Sequence, residues 1–201
     1  KKMGAKNIAL VDRKGVLNKN RKDLNQYNQD LAVDTQSNTS DECIVDADVF
    51  IGVSGANLLK ESHLLSMSAD PIIFALANPD PEILPSDAHK IRDDIVMATG
   101  RSDFPNQVNN VLGFPFLFRG ALDAKATEIN DKMLIAASKA LASLAKEPVP
   151  QDVLEAYGLK SLTFGPEYII PKPFDSRLID WVAKAVQNLS LIHISEPTRR
   201  S

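Results

Sequence analysis

Short apolar runs alternate along this chain with stretches whose apolar residues recur at helical spacing. Residues 6–12, KNIALVD, form an apolar run closed by an acid, the pattern of a buried parallel strand. After the polar turn RKGVLNKNR, Leu24, Tyr27 and Leu31 fall at helical spacing and predict a helix over 23–33. Residues 48–55, DVFIGVSG, are a second apolar run that ends in glycines. Behind it, Leu58, Leu59, Leu65 and Met67 make a mostly helical pattern. Residues 71–82, PIIFALANPDPE, read as a third strand running into Asn-Pro; a short helix is predicted over 85–92, and residues 94–100, DIVMATG, form a fourth strand. Beyond Asn110 a long helical region sets Met133, Ala137, Ala140, Leu141 and Leu144 on one apolar stripe. Such alternation predicts an α/β fold, a Rossmann-like parallel sheet with helices on both faces. Right-handed crossovers then gather all four strand ends on one edge, where ligands bind in such sheets. Because the chain opens almost directly on a strand, the fold is expected to be truncated at its N-terminus.

The strand-end residues are therefore the ones to read. Asp12 can accept hydrogen bonds from the ribose hydroxyls of an adenosine, or simply start a turn; Arg13 and Lys14, next in the chain, can instead face a 2′-phosphate. GVSGAN, with Ser54 and Gly55, lets a cofactor approach the backbone, although glycine ends many strands for turn geometry alone. The G-x-G-x-x-G fingerprint is absent and would lie upstream of Lys1. Asn78, held extended by Pro79, offers an amide that can donate to a carbonyl and accept from a hydroxyl, which suits a nicotinamide ribose or a small hydroxy acid. Asn109 and Asn110 can meet it on the same edge, or serve as turn and helix-cap residues.

Composition narrows the classes. The chain has 201 residues, 44% hydrophobic and 24% charged, ordinary for a soluble globular protein with a sizeable core. A formal net charge of −3 gives no reason to expect nucleic-acid binding. No apolar run is long enough to span a membrane, no signal-peptide pattern opens the chain, and the single cysteine, Cys43, fits a reducing, cytoplasmic setting. Cys43 reads as a small buried hydrophobe, and His63 and His89, in polar helix-like surroundings, as surface residues without a metal-ligand partner at useful spacing.

Four segments together, ADVFIGVSG, FALANPDPEILP, ATGRSDFPNQVNNVLGFPFLFRGALDAKATEIN and FGPEYIIPKPFDSRLI, resemble the malic enzymes, most closely the bacterial type followed by a phosphotransacetylase-like domain. The resemblance covers residues 1–188. It implies oxidative decarboxylation of (S)-malate to pyruvate and CO2, with reduction of NADP or NAD and with Mg2+ or Mn2+ as metal, in an enzyme that is a homo-oligomer when intact. It implies that Asp12 lies on the adenosine ribose and that Asn78 lies by the nicotinamide. It also implies that Asn110, and Asn109 beside it, contact malate or the nicotinamide ribose. The family's catalytic tyrosine and lysine and its metal-binding acids would precede Lys1, and Tyr27, Tyr157 and Tyr168 do not sit in its catalytic motif. No catalytic group and no metal ligand is assigned to this chain, and the fragment alone is expected to be inactive. Competing readings are the cofactor domain of another two-domain dehydrogenase and a non-catalytic nucleotide-binding module. The expected organisation is an NAD(P)-binding domain over residues 1–146 and a C-terminal segment of the malic enzyme part over 147–188. Over 189–199 the chain, LSLIHISEPTR, is what a transposon-end adapter used in library preparation would encode, so residues 189–201 are read as non-native.

Overall fold

A computed structural model describes residues 2–194, with side chains through Leu189. Near the start, β1 (Val11–Asp12) and β2 (Gly15–Val16) form a separate antiparallel ladder. This corrects the expectation of a buried parallel strand over 6–12. Those residues are almost all exposed, and among the described residues the run pairs only at its end, antiparallel with β2, and joins no parallel sheet. The ladder leans on the segment that follows Val33 through Val16 N–H donating to Asn38 O at 2.9 Å. Gly15, at φ +112°, fits there because a Cβ would lie 2.1 Å from that same oxygen. The helix expected over 23–33 is the shorter α1 (Gln26–Leu31), capped by the Asn25 side chain. A capping box between Thr39 and Glu42 then starts α2 (Ser40–Cys43).

The sheet that matters is three-stranded, not four. β3 (Val49–Gly52), β4 (Ile72–Ala75) and β5 (Val96–Thr99) run parallel in the order β3-β4-β5. Val49 pairs with Ile72 and Ile72 with Val96, so the strands start together and Gly52, Ala75 and Thr99 end side by side. The helices between them are α3 (Glu61–Ser66) and α4 (Pro85–Ile91), the latter opening on a proline that needs no N–H partner at that position. They bury Ile73, Ala75, Met97, Leu64, Met67 and Ala88 in one core. Arg92 closes it by donating to the Leu64, Met67 and Ser68 carbonyls while pairing with Asp94 at 2.6 Å.

A second core follows in the chain. A 3-10 turn (Asn110–Leu112) leads into α5 (Phe114–Asp123) and α6 (Asp131–Leu144), with α7 (Gln151–Ala156) beyond. A π-helical turn (Ile179–Ala183) runs into α8 (Lys184–Ile194) and brings Leu178, Val182 and Val186 against Leu117, Met133 and Leu144. The predicted stripe of α6 is the buried one, with Leu141 half-buried at its margin. Helix contact is close at Gly120, where a Cβ would stand 2.4 Å from Ala183 O. The non-native reading of 189–201 falls largely on side chains and residues outside those described.

No helix among the described residues is long and apolar enough to cross a membrane.

Candidate functional site

The carboxyl ends of β3, β4 and β5 carry three loops, and main-chain bonds hold these loops together. Leu76 N–H donates to Gly52 O, Asn57 N–H to Pro81 O and Leu59 N–H to Glu82 O, which ties the loop after β3 to the loop after β4. The loop after β5 turns back on itself, and Val108 N–H donates to Thr99 O at 2.8 Å. Gly100 sits where the second and third loops converge: a Cβ there would be 4.0 Å from both Leu76 O and Val108 O. Ser54, Gly55, Asn78, Asn109 and Asn110 thus belong to one edge, as the parallel sheet requires.

Asn78 is exposed and its side-chain amide has no hydrogen-bond partner among the described residues; its peptide bond to Pro79 is cis. Asn110 opens the 3-10 turn and is likewise exposed with an uncommitted amide. Asn109 differs. Its Oδ1 accepts from Val111 N–H at 3.0 Å, so it caps the turn that Asn110 begins and keeps only its Nδ2 for a ligand. At Gly55 an added Cβ would meet only Leu58 Cδ1 at 3.7 Å, so the backbone there is open to a close approach. Uncommitted amides and an accessible glycine turn suit a ligand rich in hydroxyl and carboxamide groups, and fit the polar parts of a nicotinamide nucleotide.

Asp12, Arg13 and Lys14 lie on the β1–β2 ladder, not on the three-stranded sheet. Arg21, absent from the sequence-based candidates, grips the Asp12 carboxylate with both of its terminal nitrogens, at 2.8 and 2.9 Å. It also bonds Asp23. That guanidinium, more than the Lys14 N–H, holds the Asp12 carboxyl below the usual carboxylate range. Lys14 pairs with Asp23 at 2.8 Å, whereas Arg13 has no ionic partner among the described residues. Both side chains reach solvent beside Asp12, Lys14 while paired at the surface with Asp23.

Two buried polar residues organise the edge and were missed. Glu82 is fully buried; its Oε1 accepts from Ser54 N–H and its Oε2 from Ala77 N–H, both at 3.1 Å. Asn106, 3% exposed at φ +54°, donates to Met97 O at 2.8 Å and Pro166 O at 2.6 Å and accepts from Ile169 N–H at 2.8 Å. In NPDPEILP, Glu82 is the one of two acids that runs directly into an apolar pair, and that was the available signal for it.

The histidines divide. His89 is exposed as expected, but His63 is buried: its Nδ1 accepts from Lys60 N–H and its Nε2 donates to Asp41 at 2.7 Å. Those two bonds satisfy a neutral imidazole and explain why it can leave the surface. Cys43 is half-buried, and loss of solvent raises its thiol pKa, consistent with a packing role.

Residues 1–155 match the family model described as malic enzyme, NAD binding domain. The chain is 55% identical to an NADP-dependent malic enzyme of Halomonas elongata over 90% of its length and 43% of that protein's. It is 55% identical to one of Rhizobium meliloti over 92% of its length and 24% of that protein's. Among solved structures, an NAD-dependent malic enzyme from Thermotoga maritima superposes with a TM-score of 0.78 at 39% identity, covering 92% of this chain and 46% of that one. The chain therefore spans between a quarter and just under half of these relatives.

Proposed function

The chain belongs to the malic enzyme family, and from that premise we propose that it is the cofactor-binding part of an enzyme that oxidises and decarboxylates (S)-malate to pyruvate and CO2 while reducing NADP. The observation that carries the reading is the pair of uncommitted amides, Asn78 and Asn110, in loops that converge at Gly100 on the carboxyl edge of the sheet. In this reading Gly55 and Ser54 admit the cofactor backbone, Asn78 and the free Nδ2 of Asn109 face the nicotinamide end, and Asn78 with Asn110 orients malate. Asp12 faces the adenosine ribose. The bound nicotinamide accepts the hydride from malate. The chain's own residues hold and align the two reactants, which lowers the barrier by fixing their geometry. Neutral amides are suited to this, because they orient hydroxyl and carboxamide groups without adding charge beside a dianionic substrate.

Residues 1–146 then form the NAD(P)-binding domain, and residues 147–188 continue it by sharing a core with α5 and α6. We assign the Mg2+ or Mn2+ of the complete enzyme to ligands outside this chain. Among the described residues no group of three His, Cys, Asp or Glu side chains is placed to hold a metal ion, so no step is routed through one here. The complete enzyme is further proposed to be a cytoplasmic homo-oligomer with a phosphotransacetylase-like domain following this part.

Asn110→Ala in the complete enzyme tests the reading. Losing an orienting hydrogen bond to a bound, desolvated ligand costs roughly 1–3 kcal/mol, so kcat/KM for malate should fall about tenfold to a hundredfold. An unchanged kcat/KM would return Asn110 to a purely local role.

Cofactor choice is a separate expectation. Arg21 neutralises much of the Asp12 charge that would repel a 2′-phosphate, and Arg13 stands beside it with its charge uncommitted. Kinetics at saturating malate and metal should show a preference for NADP over NAD. In an Arg13→Ala, Lys14→Ala double variant that preference should drop at least about tenfold, equivalent to about 1.4 kcal/mol. A wild-type preference for NAD would defeat the assignment, and an NADP preference that survives the double substitution would defeat its cause.

A further inference from the structure

We infer that Glu82 is a positioning residue for the cofactor site: its buried carboxylate sets the relative placement of the loops after β3 and β4, which carry Ser54, Gly55 and Asn78. The inference rests on the cofactor reading above.

An ionised carboxylate without solvent is costly unless its oxygens are bonded. Here each oxygen takes one backbone N–H, from Ser54 at the end of β3 and from Ala77 at the end of β4. The two strands are adjacent and in register, with Gly52 opposite Ala75. The carboxylate therefore bridges two neighbouring strand ends where the parallel ladder itself stops. The backbone of the same residue adds to the clamp, since Glu82 O accepts from Leu59 N–H and the preceding Pro81 O from Asn57 N–H. Residues 54–59 are thus tied at both ends to one short segment of the next loop.

Gly52 shows that the position is built. A Cβ at residue 52 would lie 2.3 Å from the Glu82 carboxyl carbon and 2.4 Å from Oε1, so a side chain there and the Glu82 carboxylate exclude each other. A glycine at the end of β3 is explained by this contact rather than by turn geometry.

The chemistry of the bridge is specific to a glutamate. Both protein partners are N–H donors, so both side-chain atoms must accept. Glutamine offers one acceptor and turns an NH2 toward the second donor. Aspartate keeps the charge but is one methylene short and reaches one amide well. With the Ser54 and Ala77 amides taken up beneath the loops, the residues next to them, Gly55 and Asn78, are held at one mutual distance. A cofactor lying across both strand ends needs that distance to be set before it binds.

The experiment uses the complete enzyme with Glu82→Gln, Glu82→Asp and Gly52→Ala, each checked by thermal melting and circular dichroism. Steady-state kinetics would be measured with NADP at saturating malate and metal, together with a fluorescence titration of NADPH. The expected result is a rise of about tenfold or more in KM for NADP and in Kd for NADPH for Glu82→Gln, with kcat within about threefold of wild type. Glu82→Asp should recover part of the loss, and Gly52→Ala should reproduce the Glu82→Gln pattern because it displaces the same carboxylate. A purely structural role predicts a lower melting temperature with KM and Kd unchanged in the folded enzyme, and that result overturns the inference. So does failure of all three variants to accumulate folded protein, which would make Glu82 a folding determinant. A wild-type enzyme that does not turn over malate with either cofactor defeats instead the functional reading on which the inference rests.

Discussion

The purified 201-residue chain will form no pyruvate from malate when supplied with NADP and Mn2+. The groups gathered at the carboxyl edge are amides and backbone N–H donors, which orient reactants but do not exchange protons near neutral pH. Three of the chain's acids are already engaged. Glu82 is enclosed and bonded to two amides, Asp12 is held by Arg21, and Asp103 is paired with Arg101 at 2.7 Å. Oxidation of malate needs a base for the hydroxyl proton, and loss of CO2 needs an electrophile at the developing enolate. Neither is assigned to this chain, and its relatives are more than twice as long. The assay is pyruvate formation, followed by coupled NADH oxidation with lactate dehydrogenase, at micromolar chain and millimolar malate. Measurable metal-dependent turnover by the chain alone would show that the chain itself carries a proton-transfer group.

Asn106→Ala should be the most destabilising single change in the region of the site. The side chain satisfies three backbone groups, the buried Met97 O on β5 and the part-buried Pro166 O and Ile169 N–H in the segment before α8. Each buried group left without a partner costs roughly 1–3 kcal/mol, and partial relaxation brings the total to about 3 kcal/mol. For a chain of this size that lowers the melting temperature by about 6–12 °C. The backbone adds to the loss, because φ at +54° is a conformation that asparagine tolerates better than alanine. Asn106→Gly separates the two contributions: it relieves the backbone but restores no hydrogen bond, so it should recover only a minor part. Thermal and urea melts of the three proteins give the comparison. A shift below about 2 °C for Asn106→Ala would mean that water replaces the amide without cost.

The strands of the sheet were legible because β3, β4 and β5 are apolar runs rich in β-branched residues, each closed by a glycine or a turn. Residues 6–12 carry the same signature and are mostly not strand, since composition reports the capacity to be buried and not the presence of a neighbour. The asparagines were legible as polar groups at a strand edge. Their division of labour was not, because Asn109 caps the turn and Asn110 does not, although the two are adjacent and chemically identical. Glu82 and His63 were missed for a common reason. The Ser54 amide lies 28 residues from Glu82 and the Asp41 carboxylate 22 residues from His63, separations over which local pattern carries no information. Arg21 was not legible as a partner, since its two-pronged grip on Asp12 depends on how the β1–β2 ladder folds back.

The two larger hydrophobic cores among the described residues draw on consecutive, non-overlapping lengths of chain, the first closing at Met97 and the second running from Leu112 to Val186. Read in the order of synthesis, everything the sheet core needs has been translated before α5 begins. The helical core must wait for the arrival of α8, because Leu178, Val182 and Val186 fill its centre. A nascent chain can thus hold a packed βα unit, with Glu82 already enclosed, while Phe114 to Leu144 still lacks its final helix. Asn106 stands between the two stages. Its bond to Met97 is available early, and its bonds to Pro166 and Ile169 form late, so this one side chain links the closing of the first core to that of the second.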